Sequence, residues 1–119
     1  MLTPAEIAGI AARALDDKKA KDIKVLKTTE HTVLADYFVI CNGNTSTHIK
    51  ALVDEVDKKL SEAGEDIIRR EGMRSDIWVL MDFGCVIVHV FTDEARQFYN
   101  LERLWSDAEV VDISSLPCP

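Results

Sequence analysis

Apolar residues recur at helical spacing in three stretches of the chain, and each stretch begins with residues that can cap a helix. The first begins at Thr3, where Pro4 suits the first helical position and Glu6 completes a capping box. The second begins at Thr45 or Ser46 and stops near Gly64. The third begins at Thr92 or Asp93. The apolar faces that predict these helices are Ile7, Ile10, Ala11, Ala14 and Leu15; Ile49, Leu52, Val53, Val56 and Leu60; and Ala95, Phe98, Leu101 and Trp105.

Five further stretches have the length and composition of strands, at residues 23–29, 36–41, 66–69, 77–81 and 86–91. The second is a continuous apolar run, typical of a strand buried on both faces. The third is short and charged, as expected at a sheet edge. The last two are joined around Asp82-Phe83-Gly84, which predicts a tight antiparallel connection. The order of elements predicts an α/β (α+β) fold, a single mixed sheet of about five strands packed with helices.

Composition limits the function. A chain of 119 residues is long enough for one domain, and its formal net charge of -7 opposes direct, phosphate-led binding of nucleic acid. The sequence has no signal-peptide pattern and no apolar run of about 18 residues, so we expect a cytoplasmic protein with no membrane association. Cys41, Cys85 and Cys118 have no zinc or disulfide spacing, and we expect neither a metal nor a cofactor.

The turn at Gly43 allows an alternative interpretation. It lies between a buried strand and a helix start, where a phosphate can bind backbone amides, but it lacks the Lys and second Gly of a P-loop. A nucleotide-binding or nucleotidyltransferase-type enzyme would need paired carboxylates, and the next strand offers only Asp66. Two carboxylates converging near Gly43 would favour this alternative; otherwise the segment is a turn and a helix cap.

Two other features indicate a surface for a partner. His89 interrupts a core strand, where it is either a satisfied buried histidine or a polar contact at a binding surface. The segment from Phe98 to Trp105 places aromatic and apolar groups on more than one helical face. Between Asp93 and Asp112 there are six acidic and two basic residues, which suits a basic partner. A homodimeric scaffold with this helix as its interface is a further alternative.

Four strings, in register, resemble the ribosomal silencing factor (Iojap-like) family: residues 36–44, 78–84, 88–91 and 99–105. The resemblance covers about residues 5–113, so we expect one such domain over residues 1–113 and a short tail over 114–119. It implies a fold related to nucleotidyltransferases without their catalytic carboxylates. The chain departs from the usual family pattern at Cys85, where an acidic residue is common.

The function that the resemblance implies is a non-enzymatic translation repressor. Such a protein binds the large ribosomal subunit through ribosomal protein L-fourteen and sterically blocks joining of the small subunit when nutrients are scarce. Family members also form homodimers, so dimerisation is a second expectation.

The resemblance places a partner-binding site on strand and helix residues. Trp78, Leu80 and Tyr99 would be anchors, Asp82 and Glu102 acidic contacts, and His89 a hydrogen-bonding group. Leu101 and Trp105 belong either to the interface or to the core beneath it. The complete set of expected partner-binding residues is Trp78, Leu80, Asp82, His89, Tyr99, Asn100, Leu101, Glu102 and Trp105.

Overall fold

The computed structural model describes residues 2–27, 36–72, 78–99, 109–111 and 116. In this part the chain forms three helices and six strands. In chain order they are α1 (Pro4–Asp17), β1 (Lys21–Lys27), β2 (Tyr37–Gly43), α2 (Ser46–Glu62), β3 (Arg69–Glu71), β4 (Trp78–Asp82), β5 (Val86–Thr92), α3 (Asp93–Tyr99) and β6 (Glu109–Val111).

The strands form one mixed sheet in the order β3-β4-β5-β2-β1-β6. β2 and β5 are parallel, and the other neighbouring pairs are antiparallel. The expected fold class is confirmed, with six strands in place of about five. The additional strand, β6, pairs with β1 at residues for which the sequence predicted no strand. Three residues are too few for an alternating pattern to show in the sequence.

The short edge strand also differs from its prediction. It runs from Arg69 to Glu71 rather than over residues 66–69, and it is at the edge as expected. Ile68 is 69% exposed. The apolar pair Ile67-Ile68 that suggested the strand therefore precedes it, and the charged residues pair with β4.

Helices α1 and α2 cover one face of the sheet and enclose the larger core. The capping box at Thr3 and Glu6 is present, and Thr45 caps α2 by accepting from the backbone N–H of His48 at 3.0 Å. Gly64 follows α2 with φ +94°, the left-handed conformation that ends many helices. The predicted starts and the predicted end of these helices are confirmed.

The opposite face of the sheet carries a second, smaller core, which contains Leu26, Phe38, Ile40, Phe91 and Ala95. Ala95 comes from α3, whose first turn is held by Thr92 Oγ1 accepting from the Ala95 N–H at 3.1 Å. Trp78 and Ile87 pack against this cluster while keeping part of their surface exposed. This second face holds the strand residues of the predicted partner-binding site.

Near the C-terminus, Leu116 is buried against the larger core, and its carbonyl accepts a hydrogen bond from Arg13 at 2.8 Å. The division into a domain over residues 1–113 and a tail over 114–119 stays a prediction. No helix in the described part of the chain has the length and apolar character needed to cross a membrane.

Candidate functional site

The structure brings four of the predicted partner-binding residues together on the second face of the sheet. Trp78, Leu80 and Asp82 alternate along β4, and each is half-buried, whereas the intervening Val79 and Met81 are buried in the larger core. His89 lies directly opposite Leu80 in the neighbouring strand β5. Alternation along β4 therefore places Trp78, Leu80 and Asp82 on one surface, and the register with β5 adds His89 to it.

Trp78 is fixed by contacts on its buried side. It lies opposite Phe91 in the strand register, and the two rings stack with centroids 5.2 Å apart and planes 25° apart. The indole Nε1 donates a hydrogen bond of 3.1 Å to Nδ1 of His89. A large aromatic side chain that is half-exposed and held in one orientation is the usual centre of a protein–protein contact.

His89 is only 4% exposed and lies among aromatic rings. Its ring meets Phe38 edge-on at 5.2 Å and stacks with Phe91 at 6.0 Å. Burial lowers the pKa of His89 to about 4, so the imidazole is neutral near pH 7. Because Nδ1 accepts from Trp78, the neutral ring carries its proton on Nε2, and that atom has no hydrogen-bond partner within the described residues.

These contacts give His89 a structural task within the chain, and its expected role as a direct contact to a partner stays a prediction. We expected a direct hydrogen bond to a partner, yet its exposed surface is small and one ring nitrogen already accepts from Trp78. In this structure His89 is a positioning residue, since it orients the indole that reaches the surface.

Beside Trp78 is a shallow pocket of about 210 Å³, lined by Glu71, Gly72, Trp78 and Leu80. Gly72 has φ +81°, and a Cβ at this position would lie 2.1 Å from the carbonyl oxygen of Trp78. The absence of a side chain at residue 72 is what lets the backbone approach Trp78 so closely. The pocket has room for a small apolar side chain from a partner.

The carboxylate of Asp82 is engaged within the chain. Its Oδ1 accepts from the backbone N–H of Gly84 at 2.8 Å, and its Oδ2 lies 3.6 Å from the Arg69 guanidinium. Gly84 has φ +88°, as the predicted turn requires. Asp82 therefore stabilises the turn between β4 and β5, and a basic partner group would share its oxygens with Arg69.

The part of the predicted site that follows α3 lies outside the residues that the structure describes. Helix α3 ends at Tyr99, whose side chain lies outside the described part of the chain, as do Asn100, Leu101, Glu102 and Trp105. Their placement in the interface stays a prediction.

Sequence reasoning missed Phe91 and Phe38, the rings that support His89 and Trp78. Alternation placed Phe91 in a strand, but its position under Trp78 depends on the register across the β4–β5 connection. Arg69 and Glu71 were also missed as neighbours of the site, because the edge strand was expected three residues too early. A strand predicted over Arg69–Glu71 would have placed the side chains of Arg69 and Glu71 on the same sheet face as Leu80 and Asp82.

Two other positions that the sequence singled out, Cys41 and Gly43, have structural roles. Cys41 is fully buried, and burial raises its pKa to about 12. Gly43 packs closely on α2, since a Cβ there would lie 2.7 Å from Cγ1 of Ile49. Within the described ranges there is no group of three or more His, Cys, Asp or Glu residues arranged to hold a metal ion.

Comparisons with known proteins agree with this architecture. A family model described as "Ribosomal silencing factor during starvation" matches residues 2–118. A ribosomal silencing factor of Halalkalibacterium halodurans is 40% identical over 111 residues, which cover 93% of this chain and 95% of that protein. A mouse protein named for mitochondrial assembly of the ribosomal large subunit is 33% identical over 95 residues, 77% of this chain and 42% of that longer protein.

A crystal structure of a Chromobacterium violaceum protein superposes with a TM-score of 0.86 and 41% sequence identity, covering 88% of each chain. The match therefore extends over nearly all of the sheet and helices. This chain belongs to the ribosomal silencing factor family.

Proposed function

We propose that this protein is a cytoplasmic translation repressor that binds the large ribosomal subunit through ribosomal protein L-fourteen and keeps the small subunit from joining. Family membership and the name of the mouse relative support a partner on the large subunit. The identity of L-fourteen comes from the resemblance that the sequence carries.

The observation that carries the proposal is the half-exposed Trp78 beside the half-exposed Leu80 on β4. Trp78 is held from beneath by Phe91 and His89, so little side-chain freedom remains to be lost on binding. Rigid aromatic anchors of this kind supply much of the affinity in protein interfaces.

Charge supports a basic protein partner. The chain has a formal net charge of -7, and acidic residues predominate from Asp93 onward. An acidic domain is repelled by phosphate-rich RNA but attracted to the basic proteins embedded in it. Docking through a ribosomal protein therefore reconciles an acidic domain with a ribosomal site.

Steric exclusion needs no catalytic step, and we propose a non-enzymatic mechanism. The described residues extend over 33 × 32 × 25 Å, which is large enough to obstruct a subunit interface at the point where it docks. The protein acts by occupying a surface, so its potency depends on affinity and on residence time.

Sedimentation of purified ribosomal subunits tests this proposal. We expect the protein to co-sediment with large subunits and not with small ones, and to reduce the yield of joined ribosomes. Leu80→Ala should weaken both effects, whereas Val110→Ala should not. Val110 is a matched control because it is an exposed apolar residue on the same sheet face, four strands away. Equal sedimentation with both subunits, or no effect on joining, would refute the mechanism.

A homodimer is a second proposal from the family resemblance. If the dimer uses the Trp78 surface, addition of large subunits should dissociate it, because the two partners compete. Molar mass from analytical ultracentrifugation, with and without Leu80→Ala, tests this. A monomer at every protein concentration would contradict it.

A further inference from the structure

A second cleft lies on the same sheet face as Trp78 but at another place, between the start of β1, the end of β2 and α3. Its volume is about 620 Å³, within the usual range of small-molecule sites. It opens beside the carboxyl ends of β2 and β5, the parallel pair of the described sheet, each of which is followed by a helix. Open α/β sheets bind ligands at such strand ends.

A β-bulge aims two lysines into this cleft. Lys21 pairs with Asn42 and Lys24 pairs with Ile40, so three steps along β1 match two steps along β2. Regular alternation would place Lys21 and Lys24 on opposite faces of the sheet. Because of the bulge, both lysines pair with residues whose side chains lie on the same face of β2, Asn42 and Ile40. Asp22, within the bulge, has φ +50°. Bulges of this type redirect side chains next to functional sites.

The floor of the cleft is a buried polar network. Arg96 is 9% exposed, and its Nη1 donates to Oδ1 of Asn42 at 3.0 Å and to the backbone carbonyl of Asp22. Asn42 is 5% exposed, and its Nδ2 donates to Oδ1 of Asp93 at 2.9 Å. The guanidinium thus holds the carbonyl of the bulge in place, so the backbone that carries the two lysines is fixed before any ligand arrives.

The charges that line the cleft favour an anionic occupant. Three cationic side chains, Lys21, Lys24 and Arg96, face two carboxylates, Asp22 and Asp93. This excess of positive charge occurs in a chain whose net charge is -7. Lys and Arg side chains bind phosphate oxygens through charge-assisted hydrogen bonds, and carboxylates accept from sugar hydroxyls.

We propose that this cleft binds the phosphate group of a nucleotide, either free or within RNA, with Lys21 and Lys24 contacting the phosphate. The proposal is separate from ribosomal docking, because Trp78 and Leu80 lie on β4 and do not line the cleft. It concerns binding and assigns no catalytic reaction to the site.

Calorimetric titration with inorganic phosphate, uridine monophosphate and an eight-residue oligouridylate tests the proposal. Lys21→Ala/Lys24→Ala should weaken binding by about tenfold or more, since charge-assisted contacts are lost. Lys58→Ala/Lys59→Ala is the matched control: both lysines are exposed on α2, and the change in net charge is the same. Both lysines of the cleft are exposed, so both variants should fold, which circular dichroism verifies.

Asp22→Asn gives a test of opposite sign. Asn tolerates the left-handed backbone as well as Asp does, so the bulge is kept while one negative charge is removed. Phosphate binding should tighten severalfold.

Tighter binding of the monophosphate than of oligouridylate assigns a free nucleotide, and the reverse order assigns an RNA backbone. No binding of any probe at millimolar concentration, or equal losses in the two lysine variants, would overturn the proposal. Neither result would affect co-sedimentation with the large subunit.

Discussion

The indole N–H of Trp78 donates to Nδ1 of His89 across the β4–β5 ladder, at 3.1 Å. This contact joins a half-exposed aromatic residue to a buried, neutral imidazole. It fixes the tautomer of the histidine and the orientation of the tryptophan at once. The position of Trp78 on the surface proposed to meet the ribosome therefore depends on the packing of the smaller core beneath it.

Protonation of His89 should destabilise the fold in acid. Its pKa is about 4 in the folded protein and 6.5 for an ordinary histidine, so between these values the unfolded chain binds more protons. The stabilisation is complete above pH 6.5 and is lost as the pH falls toward 4, a total of about 3 kcal/mol. Denaturant unfolding at pH 7, 5.5 and 4 measures this.

The comparison variant is His89→Gln, which keeps a hydrogen-bond acceptor for Trp78 and does not titrate. Carboxylates titrate in the same range in both proteins, so the difference between the two curves isolates His89. We expect the wild type to lose more stability on acidification. Parallel losses in the two proteins would show that the pKa of His89 is the same in the folded and the unfolded chain.

Trp78→Ala should weaken binding to the large subunit by about 2 kcal/mol, the loss typical of a central aromatic anchor. Trp78→Phe keeps an aromatic ring above Phe91 but leaves Nδ1 of His89 without its donor. That variant should keep most of the affinity and lose about 1 to 3 kcal/mol of folding stability. Quantitative co-sedimentation and chemical unfolding separate the two effects. Unchanged affinity of a folded Trp78→Ala protein would remove Trp78 from the interface.

The sequence predicted best the features set by neighbouring residues. The capping box at Thr3 and the buried run of β2 each depend on a few adjacent positions, and the structure has both. The grouping of Trp78, Leu80 and Asp82 follows from strand alternation alone. These are local rules of backbone geometry, which need no knowledge of the partner strand.

Features that depend on distant pairing could not be predicted. The strand β6 forms because three residues near the C-terminus pair with β1. The bulge in β1 forms because the three residue steps from Lys21 to Lys24 match only two steps along β2. The burial of His89 likewise requires the rings of Phe38 and Phe91 from two strands. Alternation left both interpretations of His89 open, because the sequence does not show which rings of neighbouring strands pack around it.

Cysteine labelling should distinguish two environments. Cys41 has no exposed surface and a pKa raised to about 12 by burial, so no reactive thiolate is available in the folded chain. Cys85 is half-buried, and burial raises its pKa as well. Iodoacetamide at pH 8 should modify Cys85 slowly and Cys41 only after unfolding in urea, as measured by peptide mass spectrometry. Modification of Cys41 at the rate of Cys85 in native buffer would contradict this packing.

Two glycines with similar positive φ angles should respond differently to alanine. Gly64 and Gly72 have φ of +94° and +81°, so Ala at either position costs about 1 kcal/mol in backbone strain. A Cβ at Gly64 meets nothing within 4 Å, whereas at Gly72 it would lie 2.1 Å from the carbonyl oxygen of Trp78. Gly72→Ala should therefore cost roughly 1 to 3 kcal/mol more, because backbone must move to relieve the overlap. That movement displaces Trp78, so Gly72→Ala should also weaken co-sedimentation with the large subunit, and Gly64→Ala should not. Equal unfolding free energies for the two variants would contradict the close approach at Trp78.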